Sequence, residues 1–285
     1  MEPAHPLVKA PGRSPAVARR VAGAFVLLGV LLLYRAPARF VWNAWLSDPY
    51  YAHGLPVFAA AVALAAWRLW KAPRAEASVP AWALLGLPLA GALYLAGLLR
   101  ADAYLLSWSA LALAASVALA SGGWPRLRLV GAPLLLAALA LPTPWTIQVC
   151  VALQDGATAA TGFLLSLAGI ALERGLTTLT AGGLSFEVTP ACSGFQSAVS
   201  LLAVGAGIAT IFPRRAGLVL ALAVPVALAL NVLRLVLVVL IGLAWGPGAA
   251  EGFFHGLSDA LIFVAETLLL LAVAGALSRP RGRAA

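Results

Sequence analysis

The chain has 285 residues, 62% of them hydrophobic and 10% charged, with a mean hydropathy of +0.97. A soluble domain carries roughly 25% charged residues, so the composition excludes an ordinary soluble protein and indicates an integral membrane protein. The net charge of +9 then reads as basic loops on the cytoplasmic side, not as a nucleic-acid surface, and two cysteines exclude a disulfide scaffold and a cysteine-rich metal site.

The N-terminus imitates a signal peptide, with Lys9, Arg13, Arg19 and Arg20 ahead of an apolar run from Val21 to Tyr34. More apolar runs follow, so this one is read as an uncleaved first helix that sets orientation. A spanning helix takes roughly 20 mostly apolar residues. Such runs fall at about 21–41, 55–70, 79–99, 103–121, 128–145, 192–212, 216–244 and 257–277. The expected fold is therefore an all-α, polytopic transmembrane helix bundle of about eight spans. It forms one membrane domain over 1–285, with flexible cytoplasmic tails at 1–18 and 279–285.

A ninth apolar stretch, 147–172, contains Gln148, Gln154 and Asp155. Basic residues arbitrate its placement. If it does not cross, the cytoplasmic segments hold 14 of the 19 basic residues, Arg35, Arg39, Arg100 and Arg174 lie outside, and only Arg234 falls within a span. If it does cross, Arg214 and Arg215 move outside with the C-terminal RPRGR. The stretch is thus expected to be an outer amphipathic or re-entrant segment, the alternative being a ninth span with its polar residues facing the bundle. The following RGLTTLTAGGLSFEVTP is not membrane-like, and LSFEV after Ala-Gly-Gly suggests a short outer hairpin. Trp42, Trp45, Tyr50, Tyr51 and Trp145 sit at expected outer boundaries and read as an aromatic belt.

Three chemically capable side chains reach one depth. Cys192, in PACSG, begins the sixth span at its outer end, where unpaired helix N–H groups favour a thiolate; Ser193 and Gly194 keep that turn small. Arg234 lies in LALNVLRLVLVVL, 18 residues from Ala216 at the inner face, or about 27 Å up a helix. Asn231 is one turn earlier on the same side. His255 precedes the last span, and Asp259 follows it by four residues, in position to orient the imidazole. Cysteine, arginine and histidine together support acyl transfer through a thioester. Pro225 is expected to kink the seventh span beside Arg234. Glu266, mid-span, reads as a protonated structural group, since no basic residue is expected at its depth. Nothing in the chain has the spacing of a metal site or a phosphate-binding loop, so no cofactor is expected.

The series PACSGFQS, then NVLR about forty residues on, then FHG ahead of a final span, resembles the exosortase/archaeosortase family of multi-pass membrane cysteine enzymes. The resemblance runs from DPYYAHG to the end of the chain. It implies a membrane cysteine protease or transpeptidase in the cell (plasma or inner) membrane. The partners so implied are membrane-anchored, exported proteins bearing a C-terminal sorting signal: a short motif, an apolar helix and a basic tail. By position, Cys192 would be the nucleophile, Arg234 the oxyanion or thiolate partner and His255 the acid/base. His53, in YYAHGLP, resembles a further family feature. Membrane lipids are the other expected partner. Competing readings are a transporter with Arg234, Asn231 and Glu266 along an anion path, a polytopic scaffold, or a Cys150–Cys192 disulfide that would abolish the thiolate.

Overall fold

The computed structural model describes residues 15–72, 81–251 and 253–278, with side chains described for 21–72, 81–250 and 261–276. The ends of the two expected tails, 1–14 and 279–285, lie outside the described residues. Helix α1 (Pro15–Leu33) starts inside the expected N-terminal tail. It is followed by α2 (Arg35–Ser47), α3 (Gly54–Lys71), α4 (Gly86–Leu99), α5 (Ala103–Ala140), α6 (Thr146–Leu167), a three-stranded sheet, α7 (Phe195–Ile211), α8 (Ala216–Trp245), α9 (Pro247–Glu251) and α10 (Phe253–Ser278). Four helical segments among the described residues are long and apolar enough to cross a membrane: Ala81–Leu99, Ala103–Ala140, Thr146–Leu167 and Pro213–Trp245. The pair Val21–Leu33 and Arg35–Ser47, bent by 52°, brings the number up to five. The molecule is a helical membrane protein. The expected first span 21–41 is broken at Tyr34, and α7 is apolar but shorter than a full span.

Helix α5 is two runs. Gly122 and Gly123 leave helical geometry, Gly123 at φ 64° and ψ −159°, a region that essentially only glycine occupies. The chain folds back there, so that the Trp108 indole donates to the Pro142 carbonyl at 3.4 Å. Pro142 and Pro144 stop the second run, because the residue before a proline is pushed out of the α region; Leu141 sits at φ −75°, ψ 140°. The last carbonyls of a helix lack intrahelical partners. Here side chains from 45–53 reach two of them and the Thr143 carbonyl just beyond the helix end. Trp45 Nε1 donates to Ala140 at 2.7 Å, Tyr51 Oη to Thr143 at 2.8 Å, and His53 Nε2 to Leu139 at 3.3 Å. Trp45 and Tyr51 are buried by this arrangement, which removes them from the expected aromatic belt; Trp42 and Trp145 are exposed. Residues of α2, α3, the second run of α5 and α7 form one core around Trp45, Val57, Ala140 and Val199.

Helices α7 and α8 form a second hairpin through the turn Pro213–Arg215, and α10 packs against both. Their shared core is built on Ala198, Ala223, Ala227 and Ala274, which let the backbones approach closely. Helix α8 runs unbroken through Pro225, so the expected kink does not divide it.

Strands β1 (Leu172–Arg174), β2 (Thr178–Ala181) and β3 (Leu184–Glu187) form an antiparallel sheet in the order β1-β2-β3. The expected hairpin is β2–β3. Ala181 pairs with Leu184 across Gly182 and Gly183 at φ 57° and 77°, the two-residue turn whose twist matches paired strands. The third strand, β1, was not legible in the sequence. Contrary to the expected re-entrant form, α6 is one unbroken helix of 22 residues, long and apolar enough for the alternative of a ninth span. Ala157 packs with Leu235, and further along Leu165 packs with Val239 and Leu179. Contacts therefore advance in the same order along α6 and α8: α6 runs parallel to the C-terminal half of α8, with the sheet at their common end.

Candidate active site

Cys192 does not open helix α7. It closes a separate 3-10 turn, Pro190–Cys192, and α7 starts at Phe195 behind Gly194. The N–H groups of Cys192 and Ser193 are taken by the carbonyls of Thr189 (2.8 Å) and Pro190 (3.2 Å). The expected donation from free helix N–H groups to the sulfur is thus corrected. The donor is instead Thr189, whose hydroxyl points at Cys192 Sγ at 3.3 Å. Thr189 escaped sequence reasoning because a threonine at the end of a strand is unexceptional until the turn folds it back.

The turn is held from three sides. Gln154 of α6 donates to the Val188 carbonyl at 2.7 Å, and Val188 N–H donates to Thr177 at 2.7 Å. Asn231 of α8 donates to the carbonyl of Cys192 itself at 2.9 Å. Gly194 sits at φ 81°, and a Cβ there would stand 3.1 Å from Asn231 Nδ2 and from a Leu228 methyl. Ser193 is fully buried, and its hydroxyl accepts the Phe195 N–H at 3.2 Å, which ties the turn to the first residue of α7. Cys192, 3% exposed, packs against Val188, Ala157 and Leu235.

Arg234 is buried on α8, and its helix neighbours Asn231 and Leu235 both contact Cys192. The structure therefore brings Cys192, Ser193, Gly194, Asn231 and the Arg234 face of α8 together. Glu266 is completely buried, and neither of its carboxylate oxygens has a hydrogen-bond partner among the described residues. Among the described residues, Ser197 of α7 and the charge of Arg234 act on it, so a basic residue lies within its electrostatic reach.

His53 is also buried, edge-on to Phe195 with ring centroids 5.2 Å apart. A carbonyl only accepts, so its bond to Leu139 places the proton on Nε2. Nδ1 has no partner among the described residues. Burial holds the His53 pKa below its ordinary value of 6.5, against a smaller opposing effect of that hydrogen bond. His53 thus stands beside the first residue of α7, not in the turn. His255 and Asp259 are already in the helix, since α10 begins at Phe253, rather than in a preceding loop. Their side chains lie outside the described residues. Cys150 and Cys192 are both free and buried, so the alternative disulfide is not formed. No group of three or more His, Cys, Asp or Glu side chains able to hold a metal occurs among the described residues.

No curated protein and no solved structure matches this chain. The family model described as transmembrane exosortase (Exosortase_EpsH) matches residues 45–272, from Trp45 near the end of α2, through the Cys192 turn and Arg234, into α10 beyond Glu266. With four fifths of its length so matched, the chain belongs to the transmembrane exosortase family.

Proposed function

We propose that this chain is a membrane-embedded cysteine transpeptidase that removes the C-terminal sorting signals of exported proteins. The observation that carries the proposal is the Thr189 hydroxyl on Cys192 Sγ, in a buried turn whose carbonyl is held by Asn231, one helical turn before Arg234. A cysteine that only filled space would need no such donor. Family membership supplies the reaction class.

The Cys192 thiolate attacks the scissile carbonyl carbon, and the displaced electron pair moves to oxygen, where the Arg234 guanidinium stabilises it. Collapse re-forms the carbonyl and breaks the C–N bond, and His255 delivers a proton to the departing amine. The product is a thioester on Cys192. An acceptor (water, an amine or a hydroxyl) then gives its proton to His255 and displaces the sulfur, whose returning charge meets the Thr189 hydroxyl. Asn231 holds the cysteine carbonyl and Gly194 lets the turn pack against it. Ser193 ties the turn to α7, His53 buttresses Phe195, and Asp259 orients His255.

In this reading the chain crosses the cell membrane eight times, with both termini cytoplasmic and the Cys192 turn at the outer face. The second run of α5 and helix α8 both rise toward that face. Helix α6 continues alongside α8 instead of turning back, and so caps the site with the sheet. Sorting of the basic residues supports the same orientation.

The test is co-expression with a same-genome protein carrying a motif, an apolar helix and a basic tail. Loss of the tail with the wild type but not with Cys192→Ala is expected. Full processing by Cys192→Ala ends the proposal, and flux that needs Arg234 but ignores Cys192 would establish the transporter.

A further inference from the structure

A cavity of about 710 Å³ lies between α1, α3 and the two runs of α5, away from the Cys192 turn. Its wall is apolar, with Phe58, Ala65, Ala114 and Ala137 as representative lining residues. It extends along the first run of α5 from Ser107 to Ser121, about 21 Å at helix rise. One leaflet of hydrocarbon is about 15 Å, half of a core roughly 30 Å thick. The cavity therefore accommodates an extended acyl chain.

Its two ends differ in charge. At one end Arg126 lines the cavity, its side chain lying over the Gly122–Gly123 reversal. Three more cations gather at the same end. Arg68 donates to the Leu129 carbonyl at 3.2 Å, Lys71 lies 4.5 Å over the Trp67 ring, and Arg128 lies 5.2 Å over the Trp124 ring. Trp67, Trp70 and Trp124 are exposed beside them, an arrangement suited to a membrane–water interface. The sequence has no Asp or Glu in 61–72 or 110–135 to neutralise these charges.

We infer that this cavity binds one phospholipid with an anionic head group: the acyl chain fills the apolar slot and the head group sits against Arg126 and Arg128. The charge at the mouth decides between occupants. A substrate helix with a basic tail, as the proposed function requires, would bring its cations against four others. An anionic head group brings the complementary sign. The lipid inference itself does not depend on the enzyme reading.

The experiment is native mass spectrometry of the full chain with dioleoyl phosphatidylglycerol or dioleoyl phosphatidylcholine added. One phosphatidylglycerol adduct, at least tenfold tighter than phosphatidylcholine, is expected. A basic residue near the membrane surface is worth about fivefold in anionic-lipid affinity. The double variant Arg126→Gln/Arg128→Gln should thus lose roughly 25-fold for phosphatidylglycerol and leave phosphatidylcholine unchanged. Ala114→Phe, which fills the slot, should abolish the adduct while size exclusion and circular dichroism stay those of the wild type. Equal affinities for the two lipids, or an adduct that persists in Ala114→Phe, overturn the inference. So does capture of a sorting-signal helix by a photo-crosslinker placed at position 114. None of these readouts uses processing, so failure here leaves the Cys192 chemistry standing, and the reverse.

Discussion

Replacing Gly194 with alanine should disable the turn through two separable terms. At φ 81° an L-residue pays about 1–2 kcal/mol for left-handed geometry. The added Cβ also stands 3.1 Å from Asn231 Nδ2, tighter than ordinary contact, with a Leu228 methyl equally close on the same side. Asn231 must withdraw, which endangers its 2.9 Å bond to the Cys192 carbonyl, a buried acceptor whose desertion costs about 1–3 kcal/mol. Together the terms reach about 2–5 kcal/mol. If the displaced turn carries most of that into the transition state, processing falls by 30-fold or more, at a factor of ten per roughly 1.4 kcal/mol. The assay is single-turnover cleavage of a sorting-signal substrate, with thermal unfolding in detergent measured in parallel. A double-mutant cycle separates the terms: in Gly194→Ala/Asn231→Ala the backbone term survives and the collision does not. The two substitutions should therefore be less than additive by about 1–3 kcal/mol. Strict additivity, or a Gly194→Ala enzyme with wild-type rate and stability, refutes the geometry.

Thr189→Val keeps the shape of the side chain and removes the donor to sulfur. A hydrogen bond to a charged group is worth about 1.5–3 kcal/mol, so thioester formation should slow by roughly ten- to a hundredfold, with Thr189→Ser restoring most of it. An unchanged rate in Thr189→Val would reduce that contact to turn structure. Arg234→Lys keeps the charge but not the planar fork, and processing should fail although the protein inserts normally; wild-type cleavage would show that charge alone suffices. His53 is buried with its pKa depressed, so the unfolded chain binds a proton more readily than the folded one. Its contribution to stability is fully present above pH 6.5 and is lost as pH falls below that value toward the depressed one. Thermal unfolding midpoints measured from pH 7.5 to 5 should drop at the acid end, and His53→Gln should flatten that drop.

The parts legible in sequence were those whose chemistry is anomalous for their surroundings. An arginine in LALNVLRLVLVVL is costly wherever the membrane surrounds it, and Ala-Gly-Gly before an alternating run is a hairpin signal. Illegible parts depend on chain segments that meet only in three dimensions. Trp45 and Tyr51 read as boundary aromatics because their partners, the carbonyls of Ala140 and Thr143, lie more than ninety residues away. Glu266 read as isolated because helix rise was counted along single spans, whereas packing of α7, α8 and α10 carries Ser197 and Arg234 to it. Thr189 and Gln154 are ordinary residues that one turn's geometry brings onto Cys192 and Val188. Apolar periodicity placed α6 but not its direction, which follows from contacts with α8.

The burial of the sulfur bears on whether the proposed thioester would be hydrolysed or transferred. Cys192 is 3% exposed and walled by Val188, Ala157 and Leu235, with α6 and the sheet beside it. A thioester formed there is screened from bulk water, and exclusion of water is how an active site protects a reactive intermediate from hydrolysis. On the proposed mechanism water should therefore attack slowly, while an acceptor docked by its own contacts should reach the carbonyl at high effective concentration. Purified enzyme given a sorting-signal substrate and no acceptor should accumulate a covalent adduct on Cys192. Mass spectrometry should find it at near one per chain, and hydroxylamine should release it as the hydroxamate. Cys192→Ala should show none. Rapid appearance of the free carboxylic acid with no adduct would mean that water enters as freely as any acceptor, and would make this enzyme a protease in practice.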